Sequence, residues 1–127
     1  MNKFAAAVAL VAGLAFQTSY AGLTSTYPVS VSQYGANGPV KGARNSNNNK
    51  EFIGCAVMGN TYASSTTYVA CSAQDAAGKA FYCSKYNPAY QLIQAALAVS
   101  ESSSMIINSD GAGTCTYIYV ANYSLFL

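Results

Sequence analysis

The sequence predicts an α+β fold: an antiparallel sheet of about five strands with one helix packed on one face, stapled by two disulfides. Residues 22–127 carry this single domain, behind a leader at residues 1–21. Three observations lead there. A cleavable export signal opens the chain. Three short alternating segments in its middle carry three of the four cysteines. A stretch of helical period follows them.

The leader has its parts in order. Lys3 supplies the positive start, residues 4–16 an apolar run, and Ser19-Tyr20-Ala21 a small-x-small cleavage site. The run is broken by Gly13 and falls short of the ~20 apolar residues of a membrane span. The mature chain is therefore expected to start at Gly22 without a transmembrane segment. Gly22 rather than a cysteine follows the site, which argues against a lipid anchor. Export of this bacterial style places the chain in the periplasm, at the cell surface or in the medium, where cysteines pair.

From residue 22 to 49 the chain is polar and turn-rich. Pro28, Gly35, Gly38, Pro39 and Gly42 punctuate it, and Tyr27, Val29 and Val31 alternate as in one half-buried edge strand. Residues 44–49 form an asparagine-rich connector whose side chains bond nearby backbone. Residues 51–58, 66–73 and 80–85 are β-rich and read as an antiparallel meander. Alternation puts Ile53, Cys55 and Val57 on one face of the first strand. Val69, Cys71 and Ala73 share that face on the second, and Phe81 and Cys83 on the third.

Asn87 followed by Pro88 predicts a helix start, with the helix running to about residue 100. Tyr90, Ile93 and Leu97 recur at helical spacing, broadened by Ala89, Leu92, Ala96 and Val99. A second hairpin pairs residues 105–108 with 114–127 around Asp110-Gly111-Ala112-Gly113. In its last strand Cys115 and Ile118 fall on opposite faces, a conflict that a bulge near Thr116 resolves.

Four cysteines allow three pairings. Cys55 with Cys83 is excluded, because one intervening strand separates them by about 9–10 Å. A symmetric turn sets Cys71 opposite Cys83, leaving Cys55 for Cys115. Cys55 and Cys71 are also symmetric about Ala63, so Cys55–Cys71 with Cys83–Cys115 stays open. Without histidine or a C-x-x-C pair, disulfides rather than a metal explain the set.

Charge and chemistry narrow the function. The five cations Lys41, Arg44, Lys50, Lys79 and Lys85 are scattered, unlike a phosphate-binding patch. With no histidine, serine or cysteine triads cannot be built from this chain. An enzyme would have to use Glu51 or Glu101. Asp75 and Asp110 each begin an Asp-x-x-Gly turn. Residues 108–111 lack the further carboxylates of a calcium loop, and Asn122-Tyr123-Ser124 matches the short glycosylation pattern.

The sparse charge and eleven tyrosines point to a non-catalytic surface, extracellular-matrix or adhesion-type protein, with self-assembly open to it. The candidate contact residues are Tyr117, Tyr119, Tyr123, Asn47, Asn48, Lys85 and Tyr86. Expected partners are a protein or glycan at the cell surface, or a second copy. No cofactor, metal or nucleic acid is expected. The alternative is a secreted inhibitor offering the loop Ser84 to Asn87 to an extracellular hydrolase, with Lys85 or Tyr86 inserted.

Overall fold

The computed structural model describes residues 27–60 and 66–123. The expected leader, its cleavage site and the end of the last expected strand lie outside the described residues. The element order is β1 (Ser30–Val31), β2 (Gly35–Pro39), α1 (Val40–Arg44), β3 (Phe52–Asn60), β4 (Thr66–Gln74), β5 (Ala80–Tyr86), α2 (Tyr90–Leu97), β6 (Ser103–Ser109) and β7 (Cys115–Asn122).

The described residues are mostly β, with two antiparallel sheets and two short helices in place of the expected single sheet and single helix. One sheet has the order β1-β2-β6-β7, the other β3-β4-β5. Their apolar faces share one core, in which Val69, Ala73, Cys83, Met105 and Ile107 are wholly shielded from water. The sheets join where Ser84 of β5 donates its N–H to the Gly113 carbonyl at 2.9 Å and the Cys83–Cys115 disulfide closes beside it. On another side, the Glu51 carboxylate accepts the Val29 N–H at 2.8 Å.

The meander forms as the alternation requires, with an unbroken β3–β4 register from Phe52↔Gln74 to Asn60↔Thr66. Its turn is built by Asp75, whose side chain accepts the Lys79 N–H at 2.9 Å while Gly78 takes a φ of 88°. The β6–β7 hairpin also forms, and its register passes from Asn108↔Tyr117 to Ser109↔Cys115. Thr116 is the extra residue. The bulge turns both Cys115 and Ile118 into the core.

The N-terminal region departs from expectation. Val29 and Val31 are buried, but the single edge strand is only a two-residue β1, and β2 lies in a stretch that reads as turn. Its glycines are needed for close approach. A Cβ at Gly35 would sit 2.5 Å from the Ile107 carbonyl oxygen, and one at Gly38 2.9 Å from Val29 Cγ2. The short α1, with Gly42 close over Pro39, had no periodic signal to announce it.

The expected helix is shorter, starts later and buries only part of its expected stripe. Asn87 does not cap it. At φ 45° Asn87 extends the β4–β5 ladder, its N–H donating to Thr67 O at 2.7 Å and its Oδ1 accepting the Thr67 N–H. Tyr90 and Leu97 are each 67% exposed, whereas Ala96 is buried and Leu92, Ile93 and Val99 pack on the core. α2 lies across β3, β4 and β7.

Cys55 is bonded to Cys71, and Cys83 to Cys115. Cys71 does stand in register with Cys83, as the symmetric turn requires, but it stands equally opposite Cys55. The Cys55–Cys71 Cα separation of 4.0 Å marks a non-hydrogen-bonded pair, whose side chains approach closest. The N–H and C=O of Cys71 then point to β5. Cys71 and Cys83 become a hydrogen-bonded pair, wider at about 5.5 Å. Strand polarity thus selects between the two pairings the sequence leaves open, and the Cys71–Cys83 and Cys55–Cys115 bonds do not form.

Candidate functional site

The outward positions of β3, β4 and β5 make a face without a formal charge. Its rows, read across the register, are Met58–Tyr68–Tyr86, Ala56–Ala70–Ser84, Gly54–Ser72–Tyr82 and Phe52–Gln74–Ala80. Lys85 has the core-side parity, opposite Val69, and emerges exposed near the strand end. Small residues in the middle rows leave the tyrosine rings room to lie over the sheet.

The rings are held in place. Those of Tyr68 and Tyr86 have centroids 4.6 Å apart, and the Tyr68 and Tyr82 hydroxyls meet at 2.5 Å. That bond, and secondarily Ser84, lowers the Tyr68 phenol below its ordinary value, while the same bond raises Tyr82. Met58, Gly59, Thr66, Tyr68 and Tyr86 surround an open depression of about 430 Å3. Tyr86 remains 66% exposed at its rim.

The outer face of the other sheet carries Tyr117 and Tyr119 beside Asn108 and Ile106, with Tyr123 following β7. Tyr123, with a smaller part from burial and Tyr117, raises the Tyr119 phenol above its ordinary value. These three expected contact residues therefore cluster. Lys85 and Tyr86 are on the other sheet, and with Ser84 they also line a depression of about 390 Å3 against Ala112, Gly113 and Thr114. Ser84 through Tyr86 is strand, with only Asn87 beyond it.

Asn47 is exposed on its connector. Asn48 is engaged within the loop: its Oδ1 accepts the Lys50 and Glu51 N–H groups, and its Nδ2 donates to Glu51 Oε2 at 2.6 Å. Sequence reading missed Met58, Tyr68 and Tyr82. Their signal was the strand parity already used to find the core, read for the opposite face.

The four carboxylates of the described residues all have structural partners. Glu51 joins Val29 to Asn48, Glu101 pairs with Arg44 at 2.5 Å, and Asp75 and Asp110 close turns. The Asn122 side chain holds Ser103 and the Ala98 carbonyl. The Sγ atoms of Cys71, Cys83 and Cys115 lie within 4.8 Å of one another, as metal ligands would, but each belongs to a disulfide. Among the described residues no helix is long and apolar enough to cross a membrane.

No known family, no curated protein and no solved structure matches the chain.

Proposed function

We propose that this is an exported, non-catalytic surface, extracellular-matrix or adhesion-type protein that binds a protein or glycan through its tyrosine-bearing sheet faces. The observation that carries this reading is the uncharged face of Tyr68, Tyr82, Tyr86 and Met58 with its open depression. Tyrosine offers broad contact at small entropic cost and a hydroxyl for hydrogen bonds. The Tyr68–Tyr82 bond orders two of the rings before any ligand arrives, which lowers the cost of binding.

Two further features support the reading. The chain has no histidine, and each carboxylate is held by a structural contact. Two disulfides suit an oxidising compartment.

The test is binding of the mature protein to whole cells and to arrays of neutral and acidic glycans. The double variant Tyr68→Ala/Tyr86→Ala is expected to lose at least tenfold in affinity while keeping both disulfides. Equal binding by wild type and variant, or none by either, would remove this reading.

A further inference from the structure

We propose that the free edge of β3 pairs with the same edge of a second copy, giving a two-fold dimer with a continuous six-stranded sheet. The inference stands on the β3 backbone, not on the tyrosine faces, so either proposal can fail alone.

β3 is the outer strand of its sheet. The Cys55↔Cys71 pair is of the non-hydrogen-bonded kind, and alternation extends this to Ile53, Val57 and Gly59. Thr67 confirms the phase independently. Its N–H and C=O both bond Asn87, away from Gly59 opposite. The N–H and C=O groups of Ile53, Cys55, Val57 and Gly59 therefore point outward from the sheet. Among the described residues none of them has a hydrogen-bond partner.

Edges of this kind are usually blunted by shortness, charge, proline, a bulge or a cover. The other edges here show such devices. β1 has two residues and follows Pro28. β5 and β7 are joined by the Ser84–Gly113 bond and the Cys83–Cys115 disulfide. β3 has nine residues, no charge, no proline and no register shift.

The edge is also complementary to itself. Antiparallel pairing about Ala56 sets Ile53 against Gly59 and Cys55 against Val57 of the second copy, so all the outward groups become paired. On the outer face Met58 of each copy meets Gly54 of the other, where a Cβ would find nothing within 4 Å. Ala56 meets Ala56, small enough for the close spacing of a non-hydrogen-bonded pair. Cys55 and Val57, packed on the core yet partly open to water, would be covered.

The experiment is sedimentation equilibrium on the mature chain, with amide hydrogen exchange in dilute and concentrated samples. A dimer is expected in which the amides of Ile53, Cys55, Val57 and Gly59 gain protection on concentration. Those of Gly54, Ala56 and Met58, already bonded to β4, should not change. Ala56 is exposed, so Ala56→Lys should fold with both disulfides and weaken the dimer several-fold by facing lysine with lysine. Mixing Ala56→Lys with Ala56→Glu should restore pairing. A monomer at millimolar concentration, a dimer indifferent to Ala56→Lys, or protection that misses the alternating four would overturn the proposal.

Discussion

The Glu51 carboxylate accepts the Val29 N–H at 2.8 Å, tying the entrance of β3 to the segment that leads into β1. Its other oxygen takes the Asn48 amide at 2.6 Å, so one side chain fixes a loop and joins two sheets. Replacing Glu51 with alanine leaves the Val29 donor unmatched. The expected loss is about 1–3 kcal/mol, read as a lower urea midpoint, with Glu51→Gln retaining part of the stability. Unchanged midpoints would show the bond to be incidental.

The two disulfides should differ in consequence. Cys55–Cys71 closes a separation of 16 residues between neighbouring strands, and Cys83–Cys115 one of 32 between sheets. In the chain-entropy view each contributes about 3–4 kcal/mol, the longer closure more. The Cys83→Ala/Cys115→Ala double variant is therefore expected to unfold at lower urea than Cys55→Ala/Cys71→Ala. Peptide mapping without reductant should recover these two pairs from the wild-type protein, and a Cys71–Cys83 peptide would contradict the fold.

Glycines give a paired steric test. At Gly35 a methyl group would press against the Ile107 carbonyl oxygen and the Asn108 side chain at 2.5 and 2.6 Å, and neither strand can easily yield. Gly35→Ala should cost about 1–3 kcal/mol by forcing β2 from β6. Gly59→Ala meets nothing within 4 Å and should be neutral or slightly stabilising. Thermal unfolding of the two variants side by side decides it.

Asp110 supplies a pH dependence. The backbone N–H groups of Thr114 and then Ala112 hold its carboxyl below the ordinary aspartate value of 3.8. A folded-state value below the unfolded one means that the contribution is present above the unfolded value and lost as pH falls through the folded one. The Ala112 and Thr114 amides should therefore lose protection, relative to their intrinsic exchange rates, below about pH 4. Asp110→Asn should abolish that acid step. An acid step of the same size in the variant would assign it elsewhere.

The parts of the fold that could be read from sequence are those where side-chain period and packing agree. Ile53, Val69 and Phe81 show strand parity because one face is buried, and Thr116 could be inferred from the conflict between Cys115 and Ile118. β2 could not, because Gly35 and Gly38 serve a tight tertiary approach that looks locally like a turn. Asn87 and Pro88 look like a helix start, but Thr67 in the neighbouring strand engages Asn87 first. Of the candidate face, Tyr86 is legible in the sequence as a contact residue, but as part of a loop from Ser84 to Asn87 rather than as the strand residue it is. Tyr68 and Tyr82 are not, since ring placement depends on the small residues of adjacent strands.

The position of Cys71 between two possible partners bears on biogenesis. On the export route proposed above, the chain crosses a membrane from its N-terminal end and presents Cys55 and Cys71 while Cys83 is still behind them, and both residues of the β3–β4 hairpin can then oxidise together. Cys83 arrives to find Cys71 already taken, and must wait for β6 and the bulged start of β7 to bring Cys115. Order of emergence and strand geometry thus favour the same pairing, and full reduction and refolding removes the first of these two safeguards. Trapping free thiols during refolding should accordingly reveal a transient Cys71–Cys83 species that is scarce during export.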